Sequence, residues 1–317
     1  MIILRSIADL SLLPGPVVLA AGTFDGLHLG HQALIRSALD EAVRIHGTAV
    51  VLSFDRHPAL LIRPEKAPRL LTRIETKLDL LEGMGVPVLL LLEFSEEFAS
   101  QPAEVFIRNL VSASNPLHEI CVGSQWSFGR GGTGNIALLE KLGEESGFSV
   151  DQIDPVEIAG KPISSTRVRQ AIASGDFSEA ATCLGRKYLL SGRVITGAGL
   201  GAKIGFPTAN LDVAGMQLPP DGVYAVRVHH GGSILSGVCN IGVRPTVDPS
   251  AQHRTVEVHL FDFSENFVGK ELGVEFIQFL RVEQKFAGLE ELKAQIARDS
   301  EQALRLLSSW KTSMPPS

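Results

Sequence analysis

The stretch Gly22–His31, GTFDGLHLGH, limits what this chain can fold into more than any other. It follows the apolar run Val17-Val18-Leu19-Ala20-Ala21, β-branched at its start, which reads as a short buried strand. It runs into HQALIRSALDEAVRI, where Leu34, Ala38 and Ala42 fall on one helical stripe and Ile35, Leu39 and Val43 lie beside it. A strand that passes through a glycine-rich turn into a helix aims backbone N–H groups and the positive end of the helix dipole at one point. Such a point accepts phosphate. His28 and His31 sit three apart where the helix begins, so both imidazoles can face one ligand. Spacing alone leaves two other readings open: a half-built metal site, although no third ligand or HExxH pattern accompanies it, and two surface histidines.

A length of 317 residues suggests about two domains, each able to bury a core. The formal net charge of −6 argues against broad nucleic-acid binding, so an anion site must be locally positive. Cys121, Cys183 and Cys239 are widely spaced, odd in number and without CxxC, which fits a reducing cytoplasm. The opening MIILRSIADLSLLPGP lacks the pattern of a signal peptide, and the run Val88–Leu92 is too short to span a bilayer. A cytoplasmic protein without membrane or nucleic-acid partners, monomeric or weakly homo-oligomeric, is the expectation.

From Val17 to about Ile153 strand and helix signals alternate. Strands are expected over Val17–Ala21, Thr48–Phe54, Val86–Leu92, Glu119–Val122 and, edge-like, Phe148–Ile153; helices are expected over Ile74–Gly83, Ala103–Val111 and Ile136–Leu142. Repeated βα units predict a parallel sheet with helices on both faces and ligands at the carboxyl ends of its strands. The residues there are distinctive: FDRHP with His57, GSQWSFGRGGTGN with Gln125, Trp126 and Arg130, and ISSTRVR. The second is no P-loop, lacking GK[ST]. In the third, hydroxyls open a helix; they can donate to phosphate beside Arg169, or simply cap the helix over two solvated arginines.

GTFDGLHLGH resembles the first signature of the nucleotidyltransferase superfamily, GxFDxxHxGH. The full order FDGxHxGH, FDxHP, LLTRIETKLDLLEGMGV, EFSEEFA, the FG-glycine run and ISSTRVR resembles the adenylyltransferase module of prokaryotic bifunctional FAD synthetases. The resemblance implies a Rossmann-like module that joins FMN to the AMP part of ATP. It implies that His28 and His31 contact the ATP phosphates, that Ser165, Thr166 and Arg169 close over them, and that Gly22, Phe24, Asp25 and Gly26 line the nucleotide site. His57, Gln125 and Trp126 are the implied flavin contacts. The chain departs from the family pattern at Gln125-Trp126, where Asn or Asp followed by Phe is usual, and at Asn135, where Asp is common.

Past a hand-over near Gly185-Arg186-Lys187 the signals change to strands and turns: Tyr188–Thr196, Val223–His229, Ile234–Asn240, Thr255–Leu260 and Leu272–Leu280. A small antiparallel barrel is expected, closed by a helix after Gly288 whose buried stripe reads Leu289, Leu292, Ile296, Leu304 and Leu307. The run Gly197–Ala202 satisfies GxGxxA, but Gly205 and Pro207 follow at once and would spoil the helix a dinucleotide fingerprint must open. In GFPTANL an extended chain puts Thr208 and Asn210 on one face, both offering neutral oxygens suited to Mg²⁺; a turn held by their own side chains is the alternative. Glu257 alternates out of the apolar series Val256, Val258, Leu260, either into water or to a cavity mouth.

GFPTANL, PPDGVYAV, GVCNIGVRPT, TVEVHLFDF, LRVEQKF and ELKAQIARDSEQA, in that order, resemble the riboflavin kinase module of the same family. The resemblance implies that Thr208 and Asn210 hold Mg²⁺–ATP with Gly201 and Lys203 nearby, that Glu257 activates the riboflavin 5′-hydroxyl, and that Arg281 meets the flavin. Ala198 and Ala202 stand where Asp and Arg are common, and GVRPT replaces GTRPT. The expectation is therefore an α/β chain, residues 1–185 an FMN adenylyltransferase and 186–317 a riboflavin kinase, taking riboflavin to FMN and FMN to FAD with ATP and Mg²⁺. Three alternatives stand beside it: the kinase module alone active, the adenylyltransferase being impaired at Gln125-Trp126; a flavin- and nucleotide-binding carrier without turnover; or a nucleotidyltransferase acting on another phosphate acceptor.

Overall fold

The computed structural model describes residues 1–197, 201, 204–244, 253–261 and 267–309. Its elements are β1 (Ile2–Leu4), β2 (Val17–Ala21), α1 (Leu29–Arg44), β3 (Thr48–Phe54), α2 (Ala59–Ile62), α3 (Ile74–Gly83), β4 (Val88–Leu92), α4 (Glu96–Ala99), α5 (Ala103–Ala113), β5 (Leu117–Gly123), α6 (Ile136–Ser146) and β6 (Ser149–Ile153). There follow β7 (Glu157–Ile158), β8 (Lys161–Pro162), α7 (Ser165–Ser174), α8 (Phe177–Leu184), β9 (Leu189–Ile195), β10 (Ala209–Asp212), β11 (Gly222–His230), β12 (Ser233–Arg244), β13 (His253–Leu260), β14 (Glu271–Arg281) and α9 (Leu289–Ser309). Two compact units result: Met1–Val168 with Cys183–Gly185, and Arg169–Thr182 with Arg186 onward.

The first unit is built on a six-stranded parallel sheet in the order β1-β4-β3-β2-β5-β6. Successive strand residues point to opposite faces, so the wholly buried β2 feeds two cores. Leu19 packs with Phe106, Ile107 and Leu110 of α5 and Leu139 of α6, while Val18 and Ala20 pack with Leu34, Ile35 and Ala38 of α1 and Leu81 of α3. Strand order reverses beside β2: β3 lies on one side and β5 on the other, which opens a crevice at their carboxyl ends. The predicted helices and strands are all present, and β6 is indeed an edge. The third expected strand starts two residues late, at Val88, because the Val86 N–H closes the end of α3 on the Leu81 carbonyl and Pro87 has no N–H to pair. The three-residue β1, which the sequence did not signal, pairs with β4 at the other edge.

In the second unit six antiparallel strands close into a barrel in the order β10-β13-β12-β11-β14-β9. Tyr224, Val226, Val228, Cys239, Ile241, Val256 and Val258 are buried within this unit on alternate positions of their strands. The neighbouring positions Val223, Ala225 and Val238 form a separate cluster with Ala303 and Leu307 of α9. The expected stripe of that helix needs correcting: Leu289 and Leu304 are exposed, while Asp299, Ala303 and Leu307 are buried. The stripe is turned because Asp299 occupies a core-facing position, made tolerable by the guanidinium of Arg281, whose Nη2 lies 2.8 Å from the carboxylate.

Candidate functional site

The crevice of the first unit holds a cavity of about 750 Å³. Gly22, Thr23 and Phe24 after β2, His28, Gly30 and His31 at the start of α1, and Gly123–Gln125, Trp126 and Phe128 after β5 line it. The Nδ1 atom of His28 accepts from the His31 backbone N–H at 3.3 Å, making His28 the N-cap of α1. The proton of a neutral His28 ring therefore sits on Nε2. The two imidazoles stack with centroids 3.6 Å apart, and the buried Phe24 ring meets His31 edge-on. One wall thus combines the positive end of a 16-residue helix with two imidazoles.

Behind that wall lies a network that fixes the turn. The Asp25 carboxylate, 4 % exposed, accepts from the backbone N–H groups of Leu71 and Thr72, and the Gly26 N–H donates to the Thr72 hydroxyl at 2.8 Å. Gly26 has φ +84°, and a Cβ there would meet Leu71 at 2.8 Å, so glycine is required on both counts. Asp25 and Gly26 are not among the residues that line the cavity; they frame the turn that does. The Ser165 hydroxyl donates to the Asp25 carbonyl at 3.0 Å, whereas Ser164 lines the cavity and its Oγ accepts from the Arg167 N–H. Thr166 is exposed, and Arg169 lies on α7 in the part grouped with the second unit.

Much of the remaining lining is aromatic. Phe54, Phe94, Phe98, Phe106, Phe128 and Trp126 all line the cavity and form a chain of edge-to-face and tilted contacts, closing with Trp126 stacked on Phe128 at 4.5 Å. Such a wall suits a broad flat ring. Sequence reasoning singled out Gln125 and Trp126 and missed the five phenylalanines, which come from four separate segments; no local pattern joins them. His57 does not line the cavity: its Nδ1 accepts from the Ala59 N–H at the start of α2, where Pro58 and Ile62 take the lining positions. Asn135 caps α6, its Oδ1 accepting from the Leu138 N–H at 2.9 Å.

The second unit carries its polar row on three adjacent strands. Register sets Asn210 of β10 opposite Glu257 of β13, and Glu257 opposite Asn240 of β12. Cross-strand partners share a face, so the three side chains stand side by side. Asn240 Nδ2 donates to the Glu283 carboxylate at 3.1 Å, which adds a second acid that the sequence reading did not single out. Thr208 and Asn210 are both tied to the glycine-rich loop: a Cβ on Gly201 would lie 3.2 Å from the Thr208 hydroxyl, and one on Gly197 would overlap the Asn210 amide. Glycine at 197 and 201 permits those two residues to lie directly against the Asn210 amide and the Thr208 hydroxyl. Lys203, like Ala198 and Ala202, lies outside the described residues. Arg281 is committed to Asp299 through Nε and Nη2 and to the Val282 carbonyl through Nη1, so its guanidinium is largely used within the unit.

Family comparisons agree with both units. Residues 12–167 match the FAD synthetase family model and residues 184–307 the riboflavin kinase model. The bifunctional riboflavin kinase/FMN adenylyltransferase of Escherichia coli strain K12 is 40 % identical over 299 residues, covering 94 % of this chain and 95 % of that one. This chain belongs to the bifunctional riboflavin kinase/FMN adenylyltransferase family. The Bacillus subtilis member is 36 % identical over 298 residues, covering 93 % of each chain. A solved structure described as a macrolide-efflux protein from Streptococcus pneumoniae superposes with a TM-score of 0.79 at 31 % identity, covering 96 % of this chain and 98 % of that one. Among the described residues no helix is long and apolar enough to cross a membrane.

Proposed function

We propose that the chain makes FMN from riboflavin in its second unit and FAD from FMN in its first, consuming ATP at each step. The presence of both family domains in one chain carries this reading. In the first unit the FMN phosphate attacks the α-phosphorus of ATP, the bond to the β-phosphate breaks, and pyrophosphate leaves. The attacking oxygen is already anionic, so catalysis there is alignment plus stabilisation of the growing charge. His28, His31 and the N-terminus of α1 supply that stabilisation, with Gly22 and Phe24 against the nucleotide and Ser165 and Thr166 beside it at the start of α7. Gln125, Trp126 and the phenylalanine wall hold the flavin ring, with His57 at its margin. Asp25 and Gly26 act from behind, as the frame of the turn.

In the second unit the attacking group is an alcohol, which must lose its proton as the γ-phosphoryl group transfers. Glu257 takes that proton, and ADP leaves. Thr208 and Asn210 fit Mg²⁺: they present neutral hard oxygens, and Gly197 and Gly201, which lie against them, have no Cβ to fill the space. When bound, the ion neutralises phosphate charge. Gly201 and Lys203 border the nucleotide, and Arg281 with Asp299 supports the flavin side. The reactions run in the cytoplasm on small molecules, with no nucleic-acid or membrane partner and the protein a monomer or weak homo-oligomer.

The test is to incubate the protein with riboflavin, ATP and Mg²⁺ and separate the flavins by chromatography. FMN should form first and FAD after it. FMN alone would restrict activity to the second unit, and no conversion would make the chain a carrier.

A further inference from the structure

A buried lysine lies beneath the turn of the first unit. Lys77 of α3 is 8 % exposed; its Nζ donates to the Thr23 carbonyl at 2.8 Å and stands 3.4 Å from the Ser53 hydroxyl. Ser53 donates to the same carbonyl at 3.2 Å. Two carboxylates act on the ammonium from other elements, Asp25 in the turn and Asp55 after β3; on its own helix, Glu75 faces Arg73 at 3.7 Å. Hiding an ammonium from water is costly, and methionine would fill the same space without that cost, so core packing alone does not account for the charge. The carbonyl it holds belongs to Thr23, on the cavity wall, and is followed by Phe24 at φ +51°, a conformation that persists only where the surroundings impose it. In a trans peptide the Phe24 N–H points opposite to the Thr23 carbonyl, so anchoring one orients the other.

We propose that Lys77 is a positioning residue for adenylyl transfer, its ammonium pinning the Thr23 carbonyl so that the turn leading into His28 keeps its phosphate-binding shape. The inference rests on the reading of the first unit as an FMN adenylyltransferase. Burial lowers the Lys77 ammonium to about 8, against the pull of Asp25 and Asp55, which favour the charged form. The group is therefore a charged donor below that value and a weaker, neutral amine donor above it, and FAD formation should decline as pH rises through about 8.

The experiment uses the full chain and measures FAD formation from supplied FMN, and FMN formation from riboflavin, across about pH 6.5 to 9.5. Lys77→Met should lower FAD formation about tenfold to a hundredfold near neutral pH and leave FMN formation unchanged. Lys77→Arg, whose guanidinium does not titrate in this range, should keep more activity and lose the alkaline decline. If Lys77→Met does not fold, the pH profile of Lys77→Arg decides. FAD formation in Lys77→Met within about twofold of wild type, or an unchanged decline in Lys77→Arg, overturns the inference alone. A wild-type protein that forms no FAD from FMN overturns the adenylyltransferase reading, and the inference with it.

Discussion

The two candidate sites meet phosphate with different materials. In the first unit, the end of a strand, a glycine turn and the start of α1 bring backbone dipoles and two stacked imidazoles to a cavity whose remaining lining is largely aromatic. In the second, oxygen-bearing side chains stand in a cross-strand row, Asn210, Glu257 and Asn240, with Gly197 and Gly201 against Asn210 and Thr208. The difference follows the chemistry proposed for each. A phosphate nucleophile arrives deprotonated, so a frame of donors suffices, whereas an alcohol nucleophile needs a base, and a strand register can hold a carboxylate in place.

The largest expected effect tests that contrast directly. Glu257→Gln keeps the shape of the row but removes the base, so FMN formation from riboflavin should fall about 10²- to 10⁴-fold while FAD formation from supplied FMN continues. His28→Ala should do the opposite, lowering FAD formation by about 10²- to 10³-fold with FMN formation intact. Separate assays of the two steps check both variants. Loss of both steps in either variant would break the comparison, because the sites would then not act independently.

The two regions also differed in how far they could be read in advance. The parallel sheet was legible because strands buried on both faces are written as continuous apolar runs, and GTFDGLHLGH places the helix mouth without ambiguity. The aromatic wall was not, since Phe54, Phe94, Phe98, Phe106 and Phe128 converge only when the crevice forms. In the barrel, alternation gave five strands but not the four-residue β10, too short to show a period. It placed Glu257 off the apolar face without showing its neighbours, because Asn240 is a partner by register and not by proximity in sequence. The stripe of α9 was misread because an apolar template passes over Asp299, which Arg281 makes compatible with burial.

That ion pair supplies the next effect. Both partners are largely sequestered, and Arg281 reaches Asp299 through three hydrogen bonds. Asp299→Asn keeps the size of the side chain and leaves the guanidinium without its counter-charge. The variant should destabilise the second unit by about 1–3 kcal/mol in thermal or urea unfolding. A matched loss of FMN formation, with FAD formation spared, would show that α9 helps to shape the second site; loss of FAD formation instead would contradict the division of labour.

The smallest expected effect concerns Glu275 of β14, which bridges Lys187 at 2.6 Å and His229 at 3.0 Å. Burial by itself would raise its carboxyl, but the hydrogen bonds and charges of Lys187 and His229 prevail and hold it below the ordinary carboxylate range. Because its pKa is lowered on folding, the charged form stabilises the folded state. That contribution is complete above the unfolded value of about 4.3 and fades as pH falls through the lower folded value. Wild type and Glu275→Gln should therefore differ in melting temperature at neutral pH and converge in acid. If the gap instead widened in acid, the bridge would be costing the barrel stability at neutral pH, and the polar face of the second unit would owe its order to the strand register alone.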